Sequence, residues 1–358
     1  MTTPRAGVWL VSARYDLTLL ALGPALLALL LLLPIALGVW PADLDAPLWA
    51  YALFILGVDV AHVWATLYRV YLDPAELRRR RALYLGVPLA TWFASQVLYL
   101  AHPAWFWTVL AYLAVYHFIR QQMGMVALYR ARGGTRSTRA RRLDDLAVLT
   151  GTLVPVLYWH AHLPRRFSWF IQGDFIGGLV PVDAFPALWL LYGGVAAAWL
   201  VARVRERVLH PGRDLTMLST WLCWGVGIVV LDGDFAFLVT NVLLHGVPYV
   251  ALVGHVTRGR VTEPDAPQLL RRLTGNALPF VGLLVVLAFV EEWTWNRTVW
   301  HEHAALFGSS GPMPAWLPEL MVPLLTVPQA AHYVLDGFIW RLDGSNPGLR
   351  ERLFGTAT

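Results

Sequence analysis

Long apolar stretches alternate with short polar connections along the whole chain. A helix needs roughly 20 apolar residues to cross a bilayer. Ten stretches approach or meet that length: 16–40, 48–68, 82–101, 105–128, 143–163, 183–203, 214–231, 235–257, 276–290 and 315–340, the ninth being the shortest. The pattern predicts an all-α fold, a polytopic integral membrane helical bundle of about ten transmembrane helices, as a single transmembrane domain over residues 1–358. The run from Asp16 to Trp40 carries no small-residue cleavage pattern, so it reads as the first span and not as a signal peptide. No internal repeat, linker or soluble domain interrupts the series.

Arginine placement orients the spans. Loops 69–81, 129–142, 203–213 and 258–272 are arginine-rich, whereas the alternate loops 41–47, 102–104, 232–234 and 291–314 hold Arg297 alone. The positive-inside rule therefore places both termini in the cytoplasm, with Arg165 and Arg166 as the one dissent. A bacterial-type inner (plasma) membrane is the expected location. Tyr68-Arg69, Tyr129-Arg130 and Trp340-Arg341 read as interfacial anchors with snorkelling bases.

Composition agrees with the pattern and narrows the chemistry. Hydrophobic residues make up 57% of the chain and charged residues 14%, where a soluble domain has about a quarter charged. The net charge of +5 sits in short loops, so it reflects topology and no nucleic-acid partner. The single cysteine, Cys223, excludes an internal disulfide and a cysteine-rich metal site.

Polar residues inside spans are costly, and by default they mark function. Span two carries Asp59, His62, Thr66 and Arg69 at helical spacing. Span four carries His117, Arg120 and Gln121. Span eight carries Asn241, His245 and Tyr249 around Pro248, and span ten carries Gln329, His332, Tyr333 and Asp336. Counted at about 1.5 Å per residue from the cytoplasmic ends, the four histidines share a layer roughly 10–18 Å deep. Each has an acceptor within one turn: Asp59 for His62, Gln121 for His117, Asn241 for His245 and Asp336 for His332. A metal-ligating imidazole needs such a partner to fix its tautomer and orientation.

The pattern therefore points to a transition-metal site. His62, His117, His245 and His332 are the expected ligands, Asp59 and Asp336 either ligate or orient, and Gln121 and Asn241 support the ligands. Tyr249, Tyr333 and Arg120 are the expected catalytic groups, with either tyrosine as proton donor. Arg120 serves as counter-charge to an aspartate or as a hook for an anionic head group. Imidazole with carboxylate suits iron first, then copper or zinc, and not magnesium or calcium. The arrangement resembles the histidine-rich integral-membrane oxygenases and desaturases in its histidine-lined helices. Their dense H-x-x-x-H and H-x-x-H-H boxes are absent, and no catalytic residue carries over.

The expected function is a membrane-embedded metalloenzyme. It would hydroxylate, desaturate or cleave a lipid, isoprenoid or carotenoid-like hydrophobic substrate, among membrane lipids and with an electron-donor protein as partner. One alternative is a proton- or ion-coupled transporter using the intramembrane aspartates and histidines; another is a haem protein with axial histidines. At the opposite face His102, His160, His162, His301 and His303 form a second group, in which an H-x-H pair converges only on extended backbone. Glu291 and Glu292 pair with Arg297 or join that group.

Overall fold

The structure is a computed structural model describing residues 8–134, 137–206, 209–309, 311 and 313–355. Among these residues all regular structure is helical and no strand occurs. Residues 1–7 and 356–358, on which the orientation of the termini bears, lie outside the described residues. So do Thr135, Arg136, Arg207 and Val208 of two arginine-rich loops.

A helix or helix pair stands at each of the ten apolar stretches. Five are long and apolar enough to cross a membrane: Leu48–Arg69, Arg81–Ala101, Val182–Arg205, Asp234–Val261 and Ala277–Trp300. Ala13–Ala21 and Gly23–Ala36, bent by 51°, make a sixth if taken as one span. The remaining helices are Pro103–Arg132, Thr138–Ala161, Pro211–Trp224 running on into Gly225–Val230, and the pair Leu317–Leu325 and Val327–Ile339. They match the expected positions but carry charged or amide side chains, or a break, within the apolar run. The last pair parts at Thr326, where Val327-Pro328 disfavours helical geometry before the proline.

Sequence explains the first bend as well. Gly23 follows a π-helical turn over Asp16–Ala21, and a β-carbon at Gly23 would collide with the Thr18 carbonyl oxygen. Pro24 then starts the new helix from the first turn, where its missing N–H is harmless.

The chain divides into two compact units, and the division falls inside the Pro103–Arg132 and Asp234–Val261 helices. The first comprises Met1–Ala46, Ala114–Tyr249 and Thr356–Thr358. Its core gathers Val126, Ala147, Val148, Val195, Trp199 and Met217. Two buried acids are compensated inside it. Asp144 accepts from Trp199 Nε1 at 2.8 Å, with Arg130 and Arg203 at 3.8 and 3.9 Å. Asp16 accepts from the Leu10 amide at 2.6 Å and from Tyr129 Oη at 3.0 Å.

The second unit comprises Pro47–Leu113 and Val250–Gly355. Val70, Tyr84, Leu335 and Ile339 form a core cluster, and the buried Arg260–Asp73 pair closes at 2.6 Å. Asp73 also caps the short Pro74–Arg79 helix through the Ala75 amide.

The apolar faces left open are long. On Arg81–Ala101, of which 11% is buried, Leu85, Leu89, Phe93, Val97 and Leu100 are exposed at helical spacing. Asp234–Val261 is the reverse, 83% buried. Two of the three aromatic-arginine pairs differ from the interfacial reading. Tyr68 and Arg69 are buried, with Tyr68 Oη donating to the Phe280 carbonyl and Arg69 to the Ile339 carbonyl. Tyr129 and Arg130 are buried on Asp16 and Asp145. Intramolecular acceptors thus replace the membrane surface as their polar partners.

Candidate metal centre

Two π-helical turns precede the site. Tyr51–Val60 leads into His62, and Leu238–Val242 leads into His245. Such turns admit an extra residue and rotate the side chains that follow, and they recur at functional sites. Pro328 at the start of Val327–Ile339 sets the register of His332. His117 stands near the middle of the unbroken Pro103–Arg132 helix.

Four buried histidines, His62, His117, His245 and His332, lie at close range and could hold a metal ion: one ligand nitrogen from each is within 4.8 Å of the others. Four nitrogens at about 2.1 Å from one ion stand roughly 3.4–4.2 Å apart, so the observed spacing is within a short side-chain adjustment of coordination. His62 meets His332 with ring centroids 5.0 Å apart and planes at 81°. His117 meets His245 at 5.0 Å and 80°. Each pair is edge to face, which leaves no flat slot between its rings.

The partners differ in part from those expected. Thr66 Oγ1 lies 2.9 Å from His332 Nδ1, while Asp336 is 3.8 Å from the same nitrogen. Asp59 is likewise 3.8 Å from His62 Nδ1. Both aspartates stand one step beyond hydrogen-bond reach of the imidazoles, and neither belongs to the four-histidine group. Thr66 stands on the span-two stripe, yet a threonine gives no metal signal in sequence.

Gln121 Nε2 donates to the His245 carbonyl at 2.6 Å, so it ties His245's helix to its own. Asn241 Nδ2 donates to Thr240 Oγ1 at 2.9 Å. The π turn upsets the four-residue count from Asn241 to His245. The side-chain oxygens of Gln121 and Asn241 are buried without a hydrogen-bond partner among the described residues. Phe118 lies flat on His245 at 3.7 Å and 6°, a contact that no spacing in the sequence foretold.

Tyr249 is buried, and Tyr333 Oη accepts from Gln329 Nε2 at 2.7 Å with its ring 5.9 Å from that of His332. Arg120 is exposed, its guanidinium on Met123 Sδ at 3.8 Å. It lies on the exposed face of its helix.

The outer histidines make no comparable group among the described residues. His160 and His162 each direct Nδ1 to a carbonyl four residues back, at 2.7 Å, within or at the end of their own helix. His301 and His303 are left-handed, with φ of 58° and 48°, and not extended. His303 packs on Tyr51 at 4.0 Å. Glu292 accepts from Tyr51 Oη at 2.6 Å, and Glu291 from Trp64 Nε1 at 2.7 Å, so both acids turn inward.

No protein-family model, no curated protein and no solved structure matches the chain.

Proposed function

We propose that this chain is a membrane-embedded metalloenzyme that oxidises a hydrophobic molecule, a lipid, isoprenoid or carotenoid-like compound, at a transition metal held by His62, His117, His245 and His332. The observation that carries the reading is the group of four buried histidines. Desolvating four imidazoles is costly unless something uses them, and neutral nitrogen ligands of this kind favour iron, copper or zinc. Iron is the preferred ion because it supports hydroxylation, desaturation and cleavage. Within this reading Asp59 and Asp336 balance the charge of a divalent ion, Tyr249 and Tyr333 stand ready as proton donors, and Arg120 engages an anionic lipid head group.

The proposal extends to topology. All ten helical stretches cross the membrane, both termini face the cytoplasm, and the membrane is a bacterial-type inner membrane. The exposed apolar faces and the arginine asymmetry support it. An electron-donor protein and membrane lipids are its proposed partners.

A second reading, a proton-coupled transporter, rests on a separate observation. Glu291, Glu292 and Asp59 sit in two apolar helices with Tyr51, Trp64 and His303 in contact. Ionisable groups so placed often relay protons.

Elemental analysis of detergent-purified protein, wild type beside His117→Ala, separates the two. The metalloenzyme reading predicts about one iron, copper or zinc per chain, falling in the variant by at least the roughly 10–100-fold in affinity that loss of an orienting partner alone costs. A metal-free wild type overturns it in favour of the transporter.

A further inference from the structure

A cavity of about 220 Å³ opens in the loop after Thr138–Ala161, walled by Phe167 and Phe175, with Ser168, Gln172, Arg165 and Asp174 around it. An apolar cavity of roughly 150 Å³ takes one benzene ring, so this one has room for a single substituted ring. Arg165 is held by Asp232 at 3.0 Å, and Asp174 caps the Phe170 amide at 2.6 Å, so the cavity's charges are already committed. Gln172 Nε2 already donates to the Arg166 carbonyl at 3.2 Å and to Ser168 Oγ at 3.4 Å, which leaves the Ser168 hydroxyl to donate and Gln172 Oε1 to accept at the cavity edge, a pair suited to a neutral ring bearing hydroxyl groups.

The wall of this cavity is the first rung of an unbroken series of rings. Phe167 stacks on Phe237 at 4.0 Å and 18°. Phe237 meets Trp169 at 5.1 Å, and Trp169 meets Phe118 edge to face at 5.0 Å. Phe118 lies flat on His245 at 3.7 Å. A continuous line of ring contacts favours electron tunnelling, since each contact keeps the gap between π systems small, and indole is its most readily oxidised member. Phe167, Phe237, Trp169 and Phe118 thus join a surface cavity to a candidate metal ligand.

We infer that the cavity binds a hydroquinone-class reductant and that the Phe167–Phe237–Trp169–Phe118 series passes its electrons to the metal at His245. The inference rests on the metal reading above. The hydroquinone loses two electrons and two protons and becomes a quinone, and its O–H protons go to water at the cavity mouth. Its two electrons pass singly to the metal, and one hydroquinone serves one turnover. Hydroxylation or desaturation of one substrate reduces one dioxygen with two electrons from the substrate and two from the hydroquinone, which returns the ion to its oxidised state.

The test uses the full chain loaded with ferric iron, its iron content measured first. It is mixed without oxygen with a water-soluble hydroquinone, and iron reduction is followed by electron paramagnetic resonance. Trp169→Leu breaks the series, and Ser168→Phe fills the cavity from an intermediate-exposure loop position. Both are expected to slow hydroquinone reduction by an order of magnitude or more at unchanged iron content, while Ser168→Phe leaves reduction by dithionite unaltered. Wild-type rates of iron reduction by hydroquinone overturn the cavity if seen in the iron-loaded Ser168→Phe variant and the ring series if seen in Trp169→Leu, and either result leaves the metal reading standing. A chain that takes up no iron overturns both.

Discussion

His332 illustrates how a single buried imidazole is held. Its Nδ1 faces Thr66 Oγ1 at 2.9 Å, closer than the Asp336 carboxylate at 3.8 Å. A hydroxyl both donates and accepts, so it fixes the ring without adding a charge in the hydrocarbon layer. With Nδ1 engaged there, coordination of an ion would fall to Nε2. Thr66→Val keeps the shape and removes the hydroxyl, at a cost of about 0.5–1.5 kcal/mol in stability. The expected outcome is a roughly 10–100-fold loss of metal affinity with helical content intact, read by metal titration and circular dichroism. Unchanged affinity would remove Thr66 from the site. Gln121 works at the same scale through the backbone, since its amide binds the His245 carbonyl and so keeps two histidine-bearing helices in register.

At the scale of elements, the π-helical turn over Leu238–Val242 needs a close neighbour. Gly227 lies so near it that a β-carbon would collide with Thr240 Oγ1 and crowd Asn241 Nδ2. Thr240 is itself committed to the Ala236 carbonyl at 2.7 Å and cannot swing away cheaply. Gly227→Ala is therefore expected to destabilise by about 1–3 kcal/mol, as overpacking does. A lowered thermal midpoint together with weaker metal binding would show that the turn positions His245. A midpoint at the wild-type value would show that the contact is slack.

At the scale of the whole molecule, the positions of all ten helical stretches were legible because apolar runs of membrane length are a strong one-dimensional signal. The four histidines were legible for a related reason: polar residues are scarce inside such runs, so equal depth stands out. Which hydrogen bond holds each ring was not legible. The π turns before His62 and His245 break the 3.6-residue count that assigned Asn241, and Thr66 reaches His332 from a helix more than 250 positions away in the chain. The aromatic series to His245 was invisible for the same cause, since Phe118, Trp169 and Phe237 come from three distant segments. Arg69 and Arg130 looked like surface anchors because sequence shows the charge and not the buried carbonyl or carboxylate that meets it.

The central claim is that His62, His117, His245 and His332 bind one ion together. X-ray absorption spectroscopy of the metal-loaded chain tests it most directly. The account predicts nitrogen scatterers at about 2.0–2.2 Å with the outer-shell signature of three to four imidazoles per metal, lost stepwise in single histidine-to-alanine variants. A spectrum dominated by oxygen scatterers, unchanged in those variants, would contradict it.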